Sequence, residues 1–130
     1  MTSKAQAIQL TKDNLHRIFG ETDEKKRLEA IASIWVPSSD LLFVDPLGVF
    51  KTHQGISDMV AKLQELGPGQ VFSERGEVDV LQPDEEQDLW VTKVKWGVGP
   101  PGGALLLTGE DVLTIVGGKI KALYTFLDTK

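Results

Sequence analysis

Two acids and two histidines are the residues of this chain whose types and positions invite a chemical reading. In the run Leu107, Gly109, Asp111, Leu113, Ile115, alternation places Asp111 on the same strand face as its apolar neighbours. A carboxylate there must find a partner or keep a proton, because an unpaired buried charge is very costly. Asp45 ends the short run Leu41 to Asp45, sharing a face with Leu41 and Phe43, and Pro46 follows it directly. Partial burial would raise its pKa toward the range in which a carboxylate accepts protons. The structural alternative is an Asp that organises the Asp-Pro turn by bonding backbone N–H groups. His53 stands just before an amphipathic stretch, placed either to shuttle a proton or orient a ligand, or simply to complete a turn. His16 reads as a surface or edge residue. Neither histidine has a ligand-like spacing and no dense acidic loop occurs, so no metal is expected.

Other chemistries are excluded by residue type. With no cysteine there is no thiol nucleophile, disulfide or thiolate site. No Gly-rich strand-to-helix loop supports nucleotide binding and no Gly-x-Ser-x-Gly elbow supports a serine hydrolase, so no cofactor is expected. A net charge of −5, with the fourteen Lys and Arg scattered, argues against nucleic acid and against acidic membranes. No apolar run approaches the ~18 residues that span a bilayer, and Met1 to Leu10 lacks a signal-peptide core. The expected setting is soluble and cytoplasmic. Phe19, Phe72, Trp90, Trp96, Tyr124 and Phe126 are candidate walls of a pocket for a planar hydrophobic ligand, although aromatics on strand faces more often form ordinary core.

The elements that must position these residues follow from periodicity. Ile8, Leu15, Ile18 and Phe19 recur at helical spacing from about Lys4, with Gly20 placed for a left-handed stop. Thr22 is the candidate cap of a second helix whose stripe is Leu28, Ile31, Ile34 and Trp35, ended by Pro37. Leu41 to Asp45 and Val49 to Thr52 form a short hairpin through Gly48. Ile56, Met59, Val60, Leu63 and Leu66 give the clearest amphipathic helix, stopped by Gly67-Pro68-Gly69. Val71 to Leu81 alternates loosely. In Leu89 to Trp96 the residues Trp90, Thr92, Val94 and Trp96 face one way, and Lys93 and Lys95 the other. Gly97 to Gly103 reads as a loop, and the segment from Leu105 to Leu127 as a long hairpin turning at Gly117-Gly118.

Helices first and antiparallel strands after them indicate one α+β domain over residues 1–130, with a curved antiparallel sheet wrapped over three helices. The concave end of such a sheet must be filled by side chains or a ligand. A large apolar sheet face in so small a domain also suggests burial against a second copy, through the outer side of the Trp90 to Trp96 and Leu105 to Val116 strands.

In this order of elements the chain resembles the nuclear transport factor 2-like superfamily, and within it the SnoaL-like polyketide cyclase and ketosteroid isomerase branch. The resemblance runs from the first helix to Leu127. It is carried by Phe43-Val44-Asp45-Pro46-Leu47-Gly48, by His53-Gln54-Gly55-Ile56, and by Gly109-Glu110-Asp111 followed by Gly117-Gly118-Lys119-Ile120. It implies a cone-shaped, cystatin-like roll and homodimers formed through the sheet. In the isomerase branch the Asp of a similar Asp-Pro-x-Gly stretch is the general base, and an Asp in a similar late strand stays protonated to bind the developing oxyanion. The resemblance places Asp45 and Asp111 at those positions. The branch also carries a Tyr on helix one as the main oxyanion donor, whereas the one tyrosine here is Tyr124, in the last strand. That departure argues against steroid isomerisation itself.

Two functions from different classes follow. The first is a cofactor-free acid/base enzyme of isomerase, cyclase or lyase type, acting on a small hydrophobic carbonyl compound in a cone-shaped pocket. The second is a non-catalytic small-molecule-binding or dimerisation module of the same fold, with both acids structural.

Overall fold

Each helix starts on a side-chain oxygen that accepts a backbone N–H otherwise left unpaired in the first turn. In the computed structural model, which describes residues 1–128, Ser3 accepts the Gln6 N–H at 3.1 Å while Gln6 Oε1 accepts the Ser3 N–H at 2.7 Å, a capping box for α1 (Lys4–Asp13). Asp23, not Thr22, caps α2 (Glu24–Ile34), accepting the Lys26 N–H at 2.9 Å. A carboxylate also complements the positive helix end, which a hydroxyl does not. Thr52 caps α3 (His53–Leu66).

Helix α1 continues without a break into a π-helical segment, Asn14–Phe19, closed by a bond from the Gly20 N–H to the Leu15 carbonyl at 3.0 Å. Gly20 has φ −85°, so the expected left-handed stop is absent. Glycine is needed there for space, because a Cβ would lie 2.5 Å from the His16 carbonyl oxygen.

Among the described residues seven strands make one open, mixed sheet in the order β2-β1-β7-β6-β5-β3, with β4 also paired to β5. They are β1 (Leu42–Asp45), β2 (Gly48–Phe50), β3 (Val71–Glu74), β4 (Asp79–Asp84), β5 (Leu89–Gly99), β6 (Leu107–Val116) and β7 (Lys119–Leu127). The expected all-antiparallel sheet is corrected at one seam, where β1 runs parallel to β7, Phe43 opposite Leu123. A parallel neighbour needs a long crossover, and α3 with the later strands supplies it. The stretch from Val71 to Leu81 is two strands rather than one, and they divide the length of β5 between them, β3 along its end and β4 along its start. Pro83, which has no N–H to give a ladder, lies on β4 where the register shifts. β5 itself extends to Gly99, so the expected loop begins three residues late. The Gly117-Gly118 turn is as expected, with φ of 60° and 82°.

The inner sheet face packs on the helices. Phe43, Leu113, Ile115, Ile120 and Leu123 meet Ile18, Ile31, Ile34, Trp35, Ile56 and Val60 in the main core, all essentially without solvent exposure, while Leu28 is only half-buried. This is the α+β roll expected from the element order. No described helix is long and apolar enough to cross a membrane.

Candidate active site

Beside the main core the sheet and helices leave a cavity of about 290 Å³, at the lower end of the size of small-molecule sites. Leu15 and Phe19 reach it from the π-helical segment, Asp45, Pro46 and Leu47 from the β1–β2 turn, and Leu63 and Gln64 from α3. Phe72, Trp96 and Val98 line the side formed by β3 and β5, and Asp111, Thr125 and Leu127 the side formed by β6 and β7. The lining is apolar apart from the two acids, Thr125 and two glutamines.

Asp111 occupies its place because β6 alternates, with Asp111, Leu113 and Ile115 buried and Val112 and Thr114 turned outward. It is 4% exposed. Two donors hold it, both on Oδ1: the Trp96 indole N–H at 2.9 Å and the Thr125 hydroxyl at 2.8 Å. Thr125 is its cross-strand partner on β7, and partners in register share a face. Trp96 reaches it because the residue opposite on β6 is Gly109, where a Cβ would stand 2.5 Å from the indole Cζ2. Burial pushes the Asp111 carboxyl up to about 7. The two hydrogen bonds oppose that rise, and the negative charges of Asp45 and Glu110 add to it. With Oδ1 taken as an acceptor, the proton of the neutral form belongs on Oδ2, which has no partner among the described residues.

Asp45 is half-buried at the end of β1 and accepts the Leu47 N–H on Oδ1 at 2.8 Å. It therefore organises the Asp-Pro turn and lines the cavity at once; the two readings of this residue do not compete. Burial raises its pKa, while bonds from the Leu47 and Gly48 backbone hold it down. The aromatic side of the site is continuous, with Phe19 packed on Phe72 at 5.3 Å between ring centroids and Phe72 on Trp96 at 6.0 Å.

Of the residues singled out in the sequence, Asp45, Asp111, Phe19, Phe72 and Trp96 line this cavity, and His53, Trp90, Tyr124 and Phe126 do not, Phe126 lying exposed on the outer face of the sheet. His53 is a clamp: its ring Nε2 donates to the Val36 carbonyl at 2.8 Å and its backbone N–H to the Ser38 hydroxyl, tying α3 to the loop before β1. Trp90 shares the inward face of β5 but sits near its other end, in the main core, with its indole N–H on Asp88 at 3.1 Å. Tyr124 pairs with Val112, whose side chain is opposite in sense to that of Asp111, so it lies on the outer face. Its neighbour Thr125 is the inward residue. Counting alternation from the apolar Leu123 would have found it, whereas Leu15 and Gln64 carried no sequence signal of a site. His16 is on the surface, its ring Nε2 hydrogen-bonded to the Glu74 carboxylate.

No protein-family model matches the sequence, and no curated protein does. Solved structures do. A protein from Agrobacterium tumefaciens described as a proposed isomerase of the SnoaL-like family is 25% identical, covering 96% of this chain and 99% of its own, with a TM-score of 0.81. A nuclear transport factor 2-like superfamily protein from Salmonella enterica shares the fold at 12% identity, covering 98% and 95%, with a TM-score of 0.66. A proposed polyketide cyclase from Sinorhizobium meliloti does so at 16%, covering 90% and 93%, with a TM-score of 0.61. An open cystatin-like roll and a likeness that spans both chains nearly end to end make this chain similar to the SnoaL-like, nuclear transport factor 2-like proteins and support that superfamily for it.

Proposed function

We propose that this protein is a cofactor-free acid/base catalyst of isomerase, cyclase or lyase type, acting on a small hydrophobic carbonyl compound. The observation that carries the reading is that two carboxyl groups share one apolar cavity in unlike surroundings, Asp111 enclosed and doubly hydrogen-bonded and Asp45 half-open on a turn. Environments that separate two carboxyl groups in this way separate their roles. Asp45, ionised, removes a proton from the carbon next to the carbonyl. Asp111, protonated on Oδ2, donates a hydrogen bond to the carbonyl oxygen as it gains enolate charge, and Trp96 and Thr125 keep its carboxyl group in one orientation. Return of the proton to another carbon gives isomerisation; ring closure or loss of a leaving group gives cyclisation or elimination.

The chemistry requires Asp45 ionised and Asp111 neutral, so activity falls as pH rises through about 7, where Asp111 ionises. Asp45→Asn keeps an acceptor for the Leu47 N–H, and folding is retained. It should lower enzyme-dependent deuterium incorporation next to the carbonyl of small hydrophobic ketones in D2O by roughly 100-fold or more. Full exchange activity in this variant would remove Asp45 as the base.

The binding-module reading keeps one observation in its favour: the π-helical segment after α1 brings Leu15 and Phe19 to the cavity, and neither carries a hydroxyl. Under it, wild type and Asp45→Asn exchange no deuterium and bind the same hydrophobic ketones equally in an NMR titration.

A further inference from the structure

A second, more open cleft of about 480 Å³ lies next to the acid-lined cavity and shares Phe19, Gln64, Gly67 and Gln70 with it. On its wall is Arg27, 3% exposed. A guanidinium stays charged in any protein setting and has five N–H groups to place. Here Nε donates to the Ser57 hydroxyl at 2.9 Å, and one terminal nitrogen, Nη1, to the Glu21 carbonyl at 2.8 Å and to Gln64 Oε1 at 3.4 Å. Every acceptor is neutral. No carboxylate comes within 4.0 Å of it among the described residues, and Nη2, which makes no hydrogen bond to protein there, is open to the cleft's solvent rather than sealed in the core. Buried cations are ordinarily paired with an acid, because neutral acceptors recover only part of the hydration that burial removes.

The surroundings keep the arrangement in place. Gln64, while accepting from Arg27, donates Nε2 to the carbonyls of Phe19 and Glu21 at 3.1 and 2.9 Å, so α3 grips the end of the π-helical segment and the guanidinium together. The opposite rim is the Gly67-Pro68-Gly69 turn, with Gln70 folded over Gly67 where a Cβ would meet Gln70 Oε1 at 2.5 Å. Glu65 is the acid on this rim, exposed and not ion-paired with Arg27.

We propose that the Arg27 cleft is an oxyanion site, taking a carboxylate or phosphate group on the free edge of the guanidinium. An oxyanion supplies both the missing charge and acceptors for Nη2, and the planar fork suits a two-oxygen partner. The proposal does not depend on the acid/base reading of Asp45 and Asp111, because it is tested without turnover.

The test is an NMR titration of the 15N-labelled chain with acetate and with inorganic phosphate, each at constant ionic strength against chloride. Saturable movement of the Arg27 Nε–H signal and of the Gly67 and Gly69 amides is expected, and its loss in Arg27→Gln. Movement no larger than in chloride, or undiminished in a folded Arg27→Gln, overturns the proposal. Should Arg27→Gln fail to fold, the wild-type Nε–H signal decides alone. Octanoate separates the sources of the anion. If it moves the Trp96 indole signal together with Arg27, the site receives the anionic end of a ligand lodged in the neighbouring cavity; if it moves Arg27 alone, the site takes a free anion.

Discussion

Asp111 has two hydrogen bonds and almost no solvent to support a negative charge, and the half-buried Asp45 is near enough to oppose that charge. The consequence for stability has a definite sign. Its folded-state pKa of about 7 lies above the ordinary 3.8, so between those values the folded chain binds more protons than the unfolded one, and stability falls as pH rises. The loss over that window is on the order of 4 kcal/mol. Asp111→Asn keeps an oxygen for Trp96 and Thr125 and has nothing to ionise. In urea unfolding it should therefore be more stable than wild type at pH 8, by up to about 4 kcal/mol, with the gap closing toward pH 4. An Asp111→Asn protein no more stable than wild type at pH 8 would show that Asp111 is comfortably ionised. In Asp45→Asn a repelling charge is gone, and NMR titration should find the Asp111 pKa lowered.

The π-helical end of α1 is the element on which the site depends most. It turns Leu15 and Phe19 into the cavity, and α3 holds it through Gln64. Single-turn π segments of this kind occur often at functional sites, where a plain α-helix would aim its side chains differently. Gly20→Ala places a methyl group against the His16 carbonyl at the closing turn. It should cost about 1–3 kcal/mol in urea unfolding and shift the Trp96 fluorescence of the folded state, since Phe19 reaches Trp96 through Phe72. Unchanged stability and emission would show that the π turn adapts freely. Gly109 plays the corresponding part in the sheet: with no Cβ at that position, the Trp96 indole lies flat enough to reach Asp111.

For the whole molecule, the outer face of the sheet is the proposed interface with a second copy. Leu81, Val49, Tyr124 and Phe126 are exposed there, Phe126 by 62%, and Val112 lies between the strands that carry them. Lys93, Lys95 and Glu110 are on the same face, so the patch is apolar with charges interspersed. Light scattering at micromolar concentration should give twice the mass of the chain, and the pair Tyr124→Lys and Phe126→Lys should halve it without loss of secondary structure. A wild-type monomer under those conditions would leave this face without a partner of its own kind.

Periodicity and turn chemistry in the sequence determined three helices, the long Gly117-Gly118 hairpin, the inward faces of β5 and β6, and an acid on each of two apolar faces, because these depend on residues two to four apart. The Asp-Pro turn and the late-strand Asp were legible for the same reason. Only the tertiary structure decided that the two acids open into one cavity, that Trp96 and Thr125 hold Asp111, and that His53, Trp90 and Tyr124 lie elsewhere. Those facts rest on strand register, on space left by glycines, and on which end of β5 meets the cavity. They also rest on the parallel seam between β1 and β7, which brings Asp45 alongside a strand from the far end of the chain. A contact between residues so distant in sequence is set by how faces pack, and local pattern carries no record of it.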